Sequence, residues 1–443
     1  MQLQTIKSLC LILLIFYSLM GFAQDSPSEL NKKEVNEFIQ SLNQLLNENY
    51  VYPEHAKKMS ALLTKNNKKG KYRKIKDVWQ FSETIQNDLR SVFNDKHLSI
   101  NYSPDDVAWL REQANNPNDE TADEALLKTR RQFNFGFDTV QILRGNIGYI
   151  KLDGFSDTDH ASETAIAAMT FLSHADALIF DLRKNGGGSP KMIQLISSYL
   201  FDQEPVHLSG FYWRPTDTYT QNWTLPYVPG KRSPDTDLYI LTSSDTFSAA
   251  EEFSYNLKHL KRATLIGETT GGGAHPGGPQ AINDRFTVWL PTGRSTNPVT
   301  QTNWEGTGVV PHIETPAKNA LGVAKSKALE KLSEKHPGES GHLYRWYLVS
   351  EKAALNPIEI NPNTLHSYTG TYGPRTLLVE NEQLFYQREG GAKLLLKALD
   401  QDLFELVENN SFRMKIIKKD GVVTGLQGLY DNGFSDQHTK EFE

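Results

Sequence analysis

Short apolar runs alternate with helical patterns through the middle of the chain, and no other feature restricts the possible folds as strongly. The apolar runs have the length and composition of β-strands and lie at Ile147–Leu152, Ala177–Asp181, Leu238–Leu241, Thr264–Ile266 and Phe286–Leu290. Helical patterns separate them, at Ser162–Leu172, Pro190–Leu200 and Ala249–Leu260. Strands that alternate with helices predict an α/β layer structure with partly parallel pairing.

The regions on either side of this core have different patterns. Residues 30–95 repeat apolar residues at helical spacing, and the tail from about Pro362 has short apolar runs split by turn residues, as in a small barrel or sandwich. We therefore predict five segments, which are a signal peptide at 1–23, a helical N-terminal subdomain at 24–115, an α/β core at 125–320, a helical linker at 321–358 and a small accessory β-domain at 359–443.

The first residues have the plan of a secretory signal peptide. Lys7 gives a basic start, Leu9–Phe22 form an apolar stretch, and Gly21-Phe22-Ala23 supplies the small residues that a signal peptidase requires. Cleavage after Ala23 would export the protein to a bacterial periplasm or exterior without an integral membrane segment, and an uncleaved anchor is the alternative. The only cysteine, Cys10, lies in this stretch, so the mature chain would have no disulfide and no cysteine nucleophile.

Charge and histidine distribution argue against two classes of protein. Lys and Arg number 47 against 53 Asp and Glu, and the formal charge of −6 argues against a general binder of nucleic acid. The 12 histidines are scattered, without a His-Glu-x-x-His pair or a comparable cluster, so we predict no metal site. We also expect no cofactor. The sequence does not indicate an oligomeric state.

Ser248 stands where a predicted strand meets a predicted helix. The segment Leu238–Glu251 has the sequence LYILTSSDTFSAAE, an apolar strand followed by a polar turn and a helix start. Free backbone N–H groups and the positive end of the helix dipole favour developing negative charge at such a junction, which suits a nucleophile. Ser248-Ala249-Ala250-Glu251 also fits a capping box, in which the serine only satisfies the helix end. This segment alone leaves both interpretations open.

A second strand opens into three glycines. The apolar run Ala177–Leu182 is followed after three residues by Gly186, Gly187 and Gly188, ahead of a predicted helix. Glycine allows backbone angles that other residues avoid and the close approach of a ligand. The glycine N–H groups could supply half of an oxyanion hole, and the N–H of Ala249 the other half. A plain tight turn is the alternative.

A serine hydroxyl needs a base that takes its proton. The candidates are His97, which follows the N-terminal helical region, His275, His312 and a lysine. His275 lies in the glycine-rich segment Thr269–Gly278, which we predict to face the substrate. The spacing of these residues does not choose among the bases.

Six short segments form an ordered set of motifs across about residues 30–315. They are Tyr50–Glu54, Asp95–His97, Asp181–Gly188, Thr246–Glu251, Gly267–Gly273 and Glu305–Pro311. In order and spacing the set resembles the tail-specific (C-terminal processing) protease family, in the branch of interphotoreceptor retinoid-binding protein and the tricorn protease core. Each motif is modest alone, and the ordered set is specific.

The resemblance implies an α/β fold with a helical N-terminal subdomain and a spiral core of ββα units, of the crotonase and Clp type. It implies a secreted serine peptidase that hydrolyses peptide bonds of a peptide or protein substrate through an acyl-enzyme. By motif, Ser248 is the expected nucleophile, His97 the general base and Glu305 the carboxylate that orients it.

The resemblance also assigns groups around this triad. The N–H groups of Gly187 and Ala249 are expected to bind the oxyanion, with Gly186 as an alternative to Gly187. We further predict that Gly186, Gly272 and His275 contact the substrate.

Several positions depart from the family pattern. The segment Gly267–Gly271 has no lysine where the Ser-Lys branch of the family has its catalytic lysine, which favours histidine as the base. Lys96 precedes His97 where the tricorn branch has a serine, and His312 stands where an aspartate is common, so we interpret it as structural. No stretch corresponds to the substrate-tethering PDZ domain that is common in the family.

Two other functions remain open alternatives. A catalytically silent protein could bind an apolar ligand on the same scaffold, because a fold does not determine a function. An acyl-CoA enzyme on the related crotonase scaffold would explain the oxyanion glycines, but neither the export signal nor Ser248. The serine, the histidine candidates and the missing lysine favour the peptidase.

Overall fold

The computed structural model describes residues 29–116 and 120–441, and the chain divides into two compact units. The first unit comprises the chain up to Asn118 together with Gly277–Thr292, and the second comprises Asp119–Pro276 and Gly293–Glu443. The predicted signal peptide, its cleavage site and Cys10 lie outside the described residues.

In the described ranges, the helices are α1 (Lys32–Asn49), α2 (Pro53–Lys68), α3 (Val78–Val92), α4 (Pro104–Asn115), α5 (Glu120–Gln132), α6 (Thr158–Phe171), α7 (Pro190–Ser198), α8 (Ala249–His259), α9 (Ala317–Lys335), α10 (His342–Leu355) and α11 (Pro362–Tyr368). The strands there are β1 (Ser99–Tyr102), β2 (Phe137–Leu143), β3 (Ile147–Leu152), β4 (Ala177–Asp181), β5 (His207–Trp213), β6 (Thr218–Trp223), β7 (Asp237–Thr242), β8 (Thr264–Gly267), β9 (Gly277–Ala281), β10 (Phe286–Pro291), β11 (Gly293–Thr296), β12 (Ile313–Glu314), β13 (Gly370–Tyr372), β14 (Arg375–Glu380), β15 (Gln383–Arg388), β16 (Lys393–Asp400), β17 (Leu403–Leu406), β18 (Phe412–Lys419), β19 (Val422–Tyr430) and β20 (Ser435–Thr439).

The first unit combines helices α1–α4 with an antiparallel sheet of order β1-β10-β9. Helix α1 starts at a capping box, in which Asn31 Oδ1 accepts from Glu34 N (3.1 Å) and Glu34 Oε2 accepts from Asn31 N (2.8 Å). The ring of Phe38 on α1 lies edge-on to Phe81 on α3 and to Phe286 on β10, with centroids 4.9 and 5.1 Å apart. These buried rings join the helices to the sheet.

The segment Gly277–Thr292 joins the first unit although it follows the glycine-rich loop of the second. Its strand β10 pairs with β1, from Ser99↔Trp289 to Tyr102↔Phe286. The run Phe286–Leu290 was assigned from the sequence to the α/β core, and its pairing partner lies almost two hundred residues earlier. The predicted boundaries at 24–115 and 125–320 remain a prediction.

The second unit is built on a six-stranded sheet of order β12-β8-β7-β4-β3-β2. Strands β3, β4, β7, β8 and β12 are parallel, and β2 pairs antiparallel with β3 at the edge. Side chains alternate between the faces, so Phe180 packs in the cluster that includes Phe253 of α8, whereas Ile179 packs in the cluster that includes Ala324 of α9. A sheet covered by helices on both faces confirms the predicted α/β class.

The end of the second unit is an antiparallel sheet in which β13 to β20 pair in sequence order. Its interior holds Tyr372, Met414 and Leu426, all fully buried. Glu441 N donates to Thr371 O (2.9 Å), so the residues after β20 return to β13. The small C-terminal β-domain predicted from the spacing of short apolar runs is therefore confirmed. No helix in residues 29–116 or 120–441 is long and apolar enough to cross a membrane.

Candidate active site

Ser248 is the last residue of the turn between β7 and α8, and its backbone conformation is unusual. Its φ is 55° and its ψ is −121°, whereas the first residue before a helix ordinarily has extended angles. A positive φ at a residue with a side chain costs about 1–3 kcal/mol and persists only where the surroundings impose it. The capping box predicted as the alternative is present, since Ser248 N donates to Glu251 Oε2 (2.8 Å). A serine that only capped the helix would not need this backbone strain. The conformation therefore favours the interpretation of Ser248 as a nucleophile over that of a plain cap.

The glycine loop after β4 packs directly against Ser248. Gly187 has a φ of +111°, and a Cβ there would lie 2.7 Å from Ser248 Cβ and 3.0 Å from Ala249 N. At Gly188, with a φ of +136°, a Cβ would overlap the backbone of Phe155, whereas one at Gly186 would meet no atom within 4 Å. Gly187 and Gly188 are thus required by space and by backbone angle.

Asn185 ties the glycine loop to the serine turn. It is fully buried, and its backbone O accepts from Phe247 N (3.0 Å). Its side chain donates from Nδ2 to Leu152 O (2.8 Å) and accepts at Oδ1 from Gly187 N (2.9 Å). In this conformation the N–H of Gly187 is therefore already bonded. The sequence prediction did not single out Asn185, although its position just before the glycines was a signal.

Glu251 is a second residue whose role the sequence prediction missed. Its carboxylate is fully buried and receives four hydrogen bonds from the loops around Ser248. The donors are Ser248 N (2.8 Å) and Gly273 N (2.8 Å) to Oε2, and Thr270 Oγ1 (2.5 Å) and Gly272 N (2.6 Å) to Oε1. Burial raises the pKa of this carboxyl, and the four donors act in the opposite direction. The capping-box pattern identified only the bond to Ser248.

Glu305 and His275 lie beside each other in the second unit. Glu305 Oε2 accepts from Ala274 N (2.6 Å) and lies 3.4 Å from His275 Nδ1. The side chain of Trp304 holds the same loop through Nε1, which donates to Gly273 O (2.7 Å). His275 is 1% exposed, so it is buried within the glycine-rich segment. The carboxylate of Glu305 thus lies within ion-pair distance of the His275 imidazole.

His97 lies in the first unit, in a loop fixed by buried hydrogen bonds. Its backbone N donates to Asp95 Oδ1 (3.1 Å), and Tyr50 Oη donates to Asp95 Oδ2 (3.0 Å). Asp95 is fully buried. Arg90 Nη2 donates to the backbone O of Lys96 (3.1 Å) and of Leu98 (3.2 Å). The motif segments Tyr50–Glu54 and Asp95–His97 therefore meet through one carboxylate.

The predicted site residues divide between the two units. The second unit contains Ser248, Ala249, Gly186, Gly187, Gly272, His275 and Glu305, and the first contains His97. Within the second unit, Gly187 lies against Ser248 and Ala249, Gly272 lies against Glu251, and His275 lies beside Glu305.

His312, the remaining candidate base, has a structural contact. Its Nδ1 accepts from Leu265 N (3.0 Å), and its own N donates to Leu265 O (2.9 Å). Burial, with Lys258 nearby, lowers the pKa of the imidazole. A neutral ring that accepts from a strand N–H supports β8, which agrees with the structural role expected from the sequence.

The buried carboxyl of Glu252 makes stability depend on pH. Burial raises its pKa to about 7, from 4.5 when unfolded, against hydrogen bonds such as Ser209 Oγ to Oε1 (2.7 Å). The folded state therefore binds the carboxyl proton of Glu252 more tightly than the unfolded state does. The stabilisation of the fold by this proton is fully present below pH 4.5 and is lost as pH rises through 7. Relative to Glu252→Gln, the wild type should lose about 3 kcal/mol of unfolding free energy between pH 4.5 and 8, measured by urea denaturation. A constant difference across this range would contradict the prediction.

Two family models match the chain. The model described as peptidase family S41 matches residues 146–315. The model described as the N-terminal domain of peptidase S41 in eukaryotic IRBP matches residues 30–134. Together the two models cover more than half of the chain and all six motif segments.

Three solved structures are similar over about two thirds of the chain. The photosystem II D1 C-terminal processing protease is 16% identical, with 64% of this chain and 93% of that protein covered at a TM-score of 0.41. A putative peptidase from Parabacteroides merdae is 19% identical (64% and 90% covered, TM-score 0.44), and a lipoprotein from Streptococcus agalactiae is 16% identical (69% and 97% covered, TM-score 0.42). These similarities are distant, so the assignment rests on the two family models. The chain belongs to the S41 family of serine-type peptidases, the tail-specific or C-terminal processing proteases.

Proposed function

We propose that the protein is an exported endopeptidase or oligopeptidase that cleaves peptide bonds through an acyl-enzyme on Ser248. The observation that carries the proposal is the strained backbone of Ser248 at the start of α8, pressed against the glycine loop. Such a turn exposes a serine hydroxyl beside the positive end of a helix, where an oxyanion is stabilised. His97 is the proposed general base and Glu305 the carboxylate that orients it.

The proposed reaction consists of acylation of Ser248 and hydrolysis of the acyl-enzyme. His97 takes the proton from Ser248 Oγ while Oγ bonds to the substrate carbonyl carbon, and the carbonyl electron pair moves onto oxygen. When the tetrahedral intermediate collapses, the C–N bond breaks and the imidazolium gives its proton to the leaving amine. Water then attacks the acyl-enzyme by the same route, which releases the new C-terminus and restores Ser248.

The oxyanion would be bound by backbone N–H groups beside Ser248. Ala249 N is the first N–H of α8 and points from the positive end of that helix. Gly187 N is the second proposed donor, and it must exchange or share its present bond to Asn185 Oδ1. Gly186 remains the alternative to Gly187, and a Cβ at Gly186 would meet no atom within 4 Å.

The nucleophile is tested by labelling with a fluorophosphonate probe. We expect the purified wild type to label and Ser248→Ala to lose all labelling, because the probe reacts only with an activated hydroxyl. Ser244→Ala is the matched control, since Ser244 is an exposed serine in the same turn and should have no effect. Labelling that survives Ser248→Ala would remove the nucleophile assignment. A folded wild type that never labels would instead favour a silent protein that binds an apolar ligand.

Export is proposed from residues 1–23 alone. The basic start, the apolar stretch and the small residues before Gln24 are the features that a signal peptidase recognises. We expect the protein recovered from the periplasm or medium of an expressing bacterium to begin at Gln24, as read by N-terminal sequencing. A protein that keeps Met1 and sediments with membranes would support an uncleaved anchor.

A further inference from the structure

Strand β6 forms an open edge in the second unit. It is the last strand of a three-stranded antiparallel sheet of order β11-β5-β6, and in the described part of the chain no strand pairs with its outer side. Five of its six residues are exposed, and Asn222 is half-buried. The strand therefore presents one row of backbone donors and acceptors to solvent.

The hydrogen bonds around β6 show which backbone groups point outward. Thr224 N donates to Val206 O (2.9 Å), and His207 is paired with Trp223. The register shifts between His207 and Ser209, whose partners Trp223 and Asn222 are adjacent, so the extra residue lies on β5 and β6 itself is regular. Because inward and outward groups alternate along β6, the N–H and C=O of Tyr219, Gln221 and Trp223 point away from β5.

One end of this outward row is closed within the protein. The carbonyl of Trp223 accepts from Gln194 Nε2 (2.7 Å). The N–H and C=O of Tyr219 and Gln221, with the N–H of Trp223, remain as the open part of the edge. Two residues with an N–H and a C=O each offer four hydrogen bonds to an added strand.

The composition of β6 is unlike that of a protected edge. Natural edge strands usually carry charges, prolines or bulges that prevent pairing with another chain. Thr218–Trp223 has the sequence TYTQNW, without a charge or a proline. Tyr219 is 74% exposed, and its ring lies 4.9 Å from that of Tyr212 on β5. An uncharged edge flanked by aromatic rings suits an extended, uncharged polypeptide.

The sheet that ends in β6 is anchored to the elements of the candidate site. Ser209 on β5 donates from Oγ to Glu252 Oε1 (2.7 Å), one turn after Ser248 in α8. Ser295 on β11 donates from Oγ to Ala274 O (3.0 Å), next to His275. A segment held on β6 is therefore held on the same compact unit as the serine.

We propose that the outer edge of β6 binds an extended, uncharged segment of the polypeptide substrate as an added antiparallel or parallel strand. This inference rests on the proposed function, because it takes the occupant to be substrate. A polypeptide is the ligand whose alternating N–H and C=O groups match those of Tyr219 and Gln221. At about 3.3 Å per residue, four substrate residues cover about 13 Å of edge.

The test uses Ser248→Ala protein, so that the probe is not cleaved. The probe is a fluorescein-labelled, end-capped ten-residue peptide of Thr, Gln and Tyr, and binding is followed by fluorescence anisotropy. Two further versions carry N-methyl groups on alternate residues, in opposite phases. In one methylated peptide the lost N–H groups are those that would face β6, and in the other they face away from it. We expect the first to bind about tenfold more weakly than the unmethylated peptide, and the second to bind nearly as well as that peptide.

The edge is located by a pair of substitutions in the same background. Gln221→Pro removes an outward N–H, which edge strands tolerate, and should weaken the unmethylated peptide about tenfold. Gln221→Thr keeps the N–H and should bind as the parent does. If the proline variant fails to fold, the two methylated peptides still decide the question.

Three outcomes would overturn the inference. Equal binding of both methylated peptides would show that no strand is added, and equal binding to both Gln221 variants would place the peptide elsewhere. A dimer in light scattering that Gln221→Pro converts to a monomer would show that the edge holds a second copy of the chain. Failure of the proposed function is separate, since it appears as absent fluorophosphonate labelling of the wild type whatever the peptide does.

Discussion

Replacing His97 with alanine is expected to lower kcat/KM for peptide hydrolysis by about a thousandfold, because the hydroxyl of Ser248 then keeps its proton. Fluorophosphonate labelling should slow in parallel. Added imidazole should restore part of the activity, since a small base can enter the space left by the side chain. This chemical rescue separates loss of a base from loss of structure.

His275 is the other candidate base, and the same substitution at His275 is needed to interpret the result at His97. It lies 3.4 Å from Glu305 Oε2, so geometry within the second unit would also permit it to act with that carboxylate. If His275→Ala shows the thousandfold loss with imidazole rescue and His97→Ala does not, the base assignment is wrong. His160→Ala, at an exposed histidine, is the control and should behave as the wild type.

Replacing Glu251 with glutamine is expected to lower kcat/KM by about a hundredfold, although the two side chains have the same shape. All four partners of this carboxylate are donors, so an amide NH2 must face two N–H or O–H groups. Each buried donor left without an acceptor costs about 1–3 kcal/mol, which should shift the turn that holds Ser248. We assign Glu251 a positioning role, since it acts through the serine turn.

The neighbouring glutamate provides the matched control for Glu251. Glu252→Gln makes the same change one residue later in α8, at a carboxyl that contacts Ser209. Labelling rates should be measured at a temperature where circular dichroism shows both variants fully folded. Slow labelling in Glu251→Gln and normal labelling in Glu252→Gln would support positioning. Normal labelling in both would show that Glu251 only stabilises the fold.

The elements of the central sheet could be predicted from the sequence because their signals are local. Ile147–Leu152 and Ala177–Asp181 were predicted as strands with the bounds that the structure has for β3 and β4, and the helix after Ser248 was predicted from Ala249. Strands with apolar residues on successive positions, separated by helical periodicity, have few alternatives. The C-terminal sheet followed from the same kind of local signal.

The candidate site could be predicted only in part, because two of its features depend on long-range contacts. Ser248-Ala249-Ala250-Glu251 fitted a helix cap and a nucleophile equally well, and the φ of 55° at Ser248 favours the nucleophile. The turn with this angle is bonded to loops that are distant in sequence, through Asn185 O to Phe247 N and through Glu251 to Gly272 N. Periodicity carries no information about such bonds.

The sequence by itself determined the α/β class, the C-terminal β-domain and, through its ordered motifs, the peptidase family. The tertiary structure decided that Gly277–Thr292 pairs with β1, that Gly187 lies against Ser248, and that one carboxylate gathers four donors around the serine turn. The physical reason is the separation along the sequence of the residues that interact. Periodicity and turn chemistry are properties of neighbouring residues, whereas these contacts form between segments that only the folded chain brings together.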